Sequence, residues 1–287
     1  MTEFLATLLN PDFPFLRYAF ITGMLASIAF GIMGTFVIAR RISYIAGAIS
    51  HSVLGGIGVS LYLQYKFNLL WLHPMHGAVA AALLSAIIIG LVSLYGHQRE
   101  DTVIGAIWAI GMAVGLLFLA KTPGYIDPMS YLFGNILLIS KTDVWVVIGL
   151  DAVVIGVSVV FYHTFLAVCF DEEYARLRGI NVEFYYMLLL CLTALTVVLL
   201  VSVVGIVMVI ALLTLAPAVA EYFSQRLWQM MILAVFFCML FNVSGLTISY
   251  VYDLPSGPTI IVFAGLCYLV VILLAQTRRF IIHRRAG

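Results

Sequence analysis

Arg40-Arg41-Ile42-Ser43-Tyr44-Ile45-Ala46-Gly47-Ala48-Ile49-Ser50-His51-Ser52-Val53-Leu54-Gly55-Gly56-Ile57-Gly58 opens on two arginines and continues as small and apolar residues with a single further ionisable side chain of catalytic or ligating type, His51. Ten positions separate Arg41 from His51, which in a helix sets the imidazole about 15 Å from the arginine end. The hydrocarbon core of a bilayer is about 30 Å thick, so His51 falls near its middle. An ionisable group at that depth is costly, and those that persist mark substrate or ion routes. Composition supplies the lipid-facing frame this reading needs: 64% of the 287 residues are hydrophobic and 9% charged, a balance no water-soluble domain requires. A formal charge of +1 argues against nucleic acid as a partner.

Outward from this stretch, apolar runs long enough to span lie at about 15–38, 43–64, 76–95, 102–120, 143–163, 184–203, 205–222, 229–250 and 257–276. The 184–222 block is nearly continuous and reads as one broken span or as two, so the expected fold is an all-α, polytopic transmembrane bundle of eight or nine spans. Pro217 lies inside the seventh run and is expected to kink or break it. Basic residues choose the orientation. With nine spans and the N-terminus outside, the cytoplasmic side receives Arg40, Arg41, Arg99, Arg176, Arg178, Arg226, Arg278, Arg279, Arg284 and Arg285, the outer side only Arg17, Lys66, Lys121 and Lys141. That excess satisfies the positive-inside rule. No signal peptide is read in Met1 to Pro14, and residues 1–287 read as one integral membrane domain.

Segment 170–181 gathers charge between the fifth and sixth runs. Its acids Asp171, Glu172 and Glu173 suit the first turn of a short helix, Arg176 and Arg178 the later turns, and Gly179 the stop. Phe170, Tyr174 and Leu177 recur at helical spacing, a pattern suited to docking on a soluble partner as well as to a solvated loop. Asp253, Pro255, Gly257 and Pro258 read as a rigid turn before the last span. Gly47, Gly55 and Gly56 allow close helix packing, and the two just after His51, Gly55 and Gly56, also leave room for a solvated ion beside the imidazole. Asp151 lies about 12 Å deep in the fifth run, as a relocated ligand, a proton acceptor or a hydrogen-bond partner of a neighbouring helix. His73 and His76 flank Pro74 in an outer loop, where they can hold a metal briefly or stand solvated. The four cysteines are isolated among apolar residues and read as packing, and the basic tail 278–285 as an anchor to anionic lipid headgroups. None of the lysines sits in a phosphate-binding GxxxxGK[ST] loop, so no ATP hydrolysis is expected on this chain.

Taken together, Arg40-Arg41-Ile42-Ser43-Tyr44 with His51, Tyr131-Leu132-Phe133-Gly134, segment 170–181, the Val203-Val204-Gly205…Leu215-Ala216-Pro217-Ala218 run and Tyr252-Asp253-Leu254-Pro255-Ser256-Gly257-Pro258 resemble, in order, the membrane permease subunits of bacterial zinc and manganese ABC importers. The resemblance spans about residues 15–275. It implies a type II ABC importer-like permease in the bacterial inner membrane. Its expected assembly is a homodimer or paired permease with two cytoplasmic ATPases, an external metal-binding protein and no bound cofactor. It also implies that 170–181 couples to the ATPase, with Phe170, Asp171, Glu172, Glu173, Tyr174, Arg176 and Gly179 at the contact. The family pattern places an aspartate four residues before the histidine, where this chain has Gly47, and an acidic residue where it has Asn135. Imidazole without carboxylate suits zinc better than manganese, so zinc is the expected cargo, with manganese or iron next. Two alternatives stay open: a secondary transporter that needs no ATPase, and a permease for a metal chelate.

Overall fold

A computed structural model describes residues 14–69, 71–96, 99–123, 128–134 and 139–286. Asn135 and His97 lie outside them. Among the described residues twelve α-helices follow one another: α1 (Pro14–Ala39), α2 (Ser43–Phe67), α3 (Pro74–Tyr95), α4 (Glu100–Lys121), α5 (Pro128–Phe133), α6 (Lys141–Val160), α7 (Tyr162–Phe170), α8 (Glu172–Leu177), α9 (Val182–Val204), α10 (Ile206–Phe223), α11 (Leu227–Tyr252) and α12 (Ser256–Ala286). Among the described residues nine are long and apolar enough to cross a membrane: α1 to α4, α6 and α9 to α12. Their backbone groups bond within the helix, as lipid requires.

The helices sort into two packed groups. Helix α2 lies against α3 and α4, while α1 lies against α6, α10 and α11, and α12 packs on α10 and α11. Helix α9 contacts α1, α2, α3 and α6 and so joins the groups. Helix α2 is buried along most of its length, whereas α4 and α12 lie open on the outside. Small residues make the close approaches possible. A Cβ added at Gly31 would meet the Val235 backbone at 2.4 Å. Side-chain hydrogen bonding adds to this packing at Asn242 on α11, whose amide donates to Ser27 Oγ at 2.8 Å and to the Gly23 carbonyl at 3.2 Å, both on α1.

One open alternative is decided and two expectations change. The 184–222 block is two helices divided at Gly205, whose φ of 84° and ψ of 159° only glycine adopts readily. A Cβ there would also lie 2.2 Å from the Gly134 nitrogen. Pro217 does not break its helix, because α10 runs through it. Proline removes the hydrogen bond to the carbonyl four residues back. That carbonyl, Leu213 O, faces Gly34 of α1, where a Cβ would sit 2.4 Å away. Finally, Gly257 and Pro258 belong to the first turn of α12. The connection is Asp253–Pro255, closed by the Leu254 N–H donating to Ser249 O at 3.0 Å and the Ser249 hydroxyl donating to Leu254 O at 2.6 Å.

Candidate functional site

Helix α2 begins just past the end of α1, and the corner between them is a fixed one. The Ile42 N–H donates to Val37 O and the Arg41 N–H to Ile38 O, each at 3.0 Å, the paired bonds of a Schellman turn. Arg41 takes the left-handed position, φ 61°, that glycine ordinarily fills. From this corner α2 carries His51 inward for about two turns.

His51 is 9% exposed and stacks on Trp108 of α4, with ring centroids 4.5 Å apart and planes 19° apart. Its Nδ1 is buried and has no hydrogen-bond partner among the described residues. The indole also explains the glycine one turn earlier, since a Cβ at Gly47 would lie 3.0 Å from the ring of Trp108. The space a side chain at 47 would take is filled by tryptophan. Imidazole nitrogens ligate in the ring plane, so stacking on the ring face does not itself occupy either nitrogen.

Gly55 and Gly56 are packing positions. A Cβ at Gly55 would meet Gly111 O on α4 at 2.8 Å, and one at Gly56 would meet Gly77 O on α3 at 2.0 Å. Both glycines, with Ser52 and Ser60, also floor a groove of about 430 Å³ between α3 and α4. His51 does not line that groove, so what the structure shows of these glycines is backbone contact.

On another face of α2, Val53 and Ile57 form part of a second cavity of about 430 Å³, shared with α3, α5, α6 and α9. His73, Tyr131 and Asp143 line it. Pro74 starts α3 rather than excluding a helix, and His73 is its N-cap, with Nδ1 accepting from the Met75 N–H at 3.3 Å. That bond leaves Nε2 to ligate. His76 sits in the first turn, its ring 6.3 Å from that of His73. Asp143 shares the cavity with His73, a pairing of distant positions that no spacing along the chain announces. Its Oδ2 accepts from the Ser140 backbone and hydroxyl. Burial pushes the Tyr131 hydroxyl above its ordinary pKa, so it remains a donor.

Asp151 is elsewhere. It is 5% exposed on α6 beside the Ala29 backbone of α1, and neither oxygen makes a hydrogen bond of normal geometry among the described residues. Among the described residues no group of three or more His, Cys, Asp and Glu side chains converges to hold a metal ion. Burial pushes the Cys169 thiol up to about 12, against the opposing pull of Arg40.

The charged segment forms the short helix expected of it. Asp171 caps α8 by accepting from the Tyr174 N–H at 2.9 Å, and Gly179 ends the segment at φ 76°. Glu172 pairs with Arg40, and Arg176 pairs with Glu183 at 2.7 Å. Phe170, Tyr174 and Leu177 present 66, 50 and 87% of their surface.

A profile of the ABC 3 transport family matches residues 12–275. The chain belongs to that family. It is 40% identical over 267 residues to a Chlamydia pneumoniae protein named "Probable metal transport system membrane protein", covering 92% of this chain and 91% of the relative. It is 30% identical over 274 residues to the Listeria monocytogenes manganese transport system membrane protein MntC, covering 96% and 95%. Among solved structures, PsaBC from Streptococcus pneumoniae in complex with Fab matches with a TM-score of 0.82 at 31% identity, covering 94% of each chain. This ABC 3 chain is thus an all-helical, multi-pass membrane permease of the metal-transport type.

Proposed function

We propose that this permease forms the membrane path of an ATP-driven importer of divalent transition metal ions. It works as a pair of permease subunits, with ATP hydrolysed by two cytoplasmic ATPases and metal delivered by an external binding protein. The whole chain acts as one membrane unit, N-terminus outside and C-terminus cytoplasmic. The observation that carries the reading is His51: an imidazole about two turns into the most enclosed span, held flat by Trp108, with Nδ1 unpartnered among the described residues. A transporter needs ligation weak enough to release its cargo, and a lone imidazole per subunit meets that need where a closed four-ligand site would not. The exposed apolar residues of α8 between acids and arginines suit the ATPase contact.

The cargo belongs to the manganese-to-zinc series. Relatives named for manganese transport favour manganese. The donor set favours zinc, since imidazole without an adjoining carboxylate suits later transition metals. His73 and Asp143, on one cavity wall, serve as outer receiving groups, and Asp151 is the buried carboxyl left for proton or ligand exchange. The test is uptake of manganese and zinc into proteoliposomes holding the permease with its ATPase and binding protein. ATP-dependent uptake that His51→Ala abolishes, with the ATPase still bound, is the expected result. Undiminished uptake by His51→Ala would reject the role of the imidazole, and uptake by the permease alone without ATP would reject the ABC mechanism.

A further inference from the structure

We infer that Arg40 is the residue through which α8 moves the helix that carries His51. This rests on the proposed role of segment 170–181 as the ATPase contact. Three observations meet at its guanidinium. It forms an ion pair with Glu172 in the first turn of α8. It lies over the ring of Tyr186 on α9, 5.1 Å from the centroid, and the Tyr186 hydroxyl is 3.2 Å from that of Ser93 on α3. It also directly follows α1, inside the turn whose bonds fix the entry to α2.

The other acids of α8 do not offer this connection. Glu173 is exposed and makes no ion pair among the described residues, and Asp171 is committed to capping the Tyr174 N–H. Arg176 ties α8 to α9 through Glu183 and not to the α1–α2 corner. Among the described residues, Glu172–Arg40 is thus the ion pair by which a displacement of α8 reaches the α1–α2 corner. Because that corner is hydrogen-bonded at both ends, α2 cannot stay behind when Arg40 moves, and His51 lies eight residues along it. Glu172 and Arg40 are positioning residues, since neither touches the ion route.

The pair makes a specific claim about coupling: breaking it leaves hydrolysis intact and lowers the metal moved per ATP. The experiment uses the reconstituted complex of permease, ATPase and binding protein, with manganese as the probe, and records phosphate release and uptake together. Arg40→Gln and Glu172→Gln should each lower uptake per ATP by about tenfold, with the ATPase retained. The double variant should be no worse than either single one, because both remove the same link. Arg40→Lys, which keeps the charge, should retain most of the coupling and shows that loss in Arg40→Gln is not a folding failure. Unchanged uptake per ATP in Arg40→Gln, or losses that multiply in the double variant, would overturn the inference. Both outcomes are read against a wild-type complex that transports, so they are distinct from failure of the ABC mechanism itself.

Discussion

Gly47→Asp puts the reading of the His51 site to its sharpest test. The Cβ alone would lie 3.0 Å from the Trp108 ring, closer than neighbours normally approach, and the carboxyl group extends beyond it. Overpacking of this kind costs about 1–3 kcal/mol. A carboxylate left against an indole without a hydrogen-bond partner adds about 1–3 kcal/mol. The single variant should therefore lose about 2–6 kcal/mol, seen as a lower thermal midpoint for the purified permease in detergent. Trp108→Ala alone removes a half-buried ring and its stack on His51, at a cost of about 2–3 kcal/mol. The two together should lose less than the sum of the singles by about 1–3 kcal/mol, because the vacated space accepts the carboxylate. In that double variant the introduced carboxylate and His51 stand one turn apart on the same face, an oxygen and a nitrogen donor, so uptake should shift toward manganese. If Gly47→Asp alone matched the wild type in stability, or its cost were unaffected by Trp108→Ala, the explanation of Gly47 as a space filled by tryptophan would fail.

Gly205→Ala forces a side chain into a conformation reserved for glycine and against the Gly134 backbone, so a loss of about 2–5 kcal/mol is expected from the same thermal assay. Arg41→Gly should act the other way, raising stability by about 0.5–1 kcal/mol, because relief of the left-handed strain exceeds the entropy glycine adds to the unfolded chain. Leu177→Asp, at a position 87% exposed, should leave the stability read from the thermal midpoint within about 0.5 kcal/mol of wild type while abolishing co-purification with the ATPase.

Why some of this is legible in the chain and some is not follows from the range of the forces involved. Span positions are written in continuous hydrophobicity, so the run read at 43–64 appears as Ser43–Phe67 and that at 229–250 as Leu227–Tyr252. Segment 170–181 is equally readable, since its cap and stop are made by its own residues, Asp171 and Gly179. The division at Gly205 is ambiguous from the chain alone because hydropathy does not change there; the deciding contact comes from Gly134. Pro217 reads as a kink or break for a like reason, since the neighbour packed against it, Gly34, lies in another helix. Trp108 stacks on His51 from 57 positions away, and apolar periodicity does not report which aromatic meets which face. The bare backbone at Gly47 is the one available hint that something large lies opposite. Likewise, the acids of α8 are visible as a group, but only the fold distinguishes Glu172, facing Arg40, from Glu173.

The seam between α2 and α4 has a mechanical consequence. At Gly55 against Gly111 and at Gly58 against Gly115 the two helices meet main chain to main chain, with no flexible side chain to act as a bearing. Sliding along such a seam would drive carbonyl oxygens into α-carbons within a fraction of an ångström. These helices must then travel as one plank during a transport cycle, carrying the imidazole and its indole cover together, and the opening and shutting of the pathway falls to the borders of that plank.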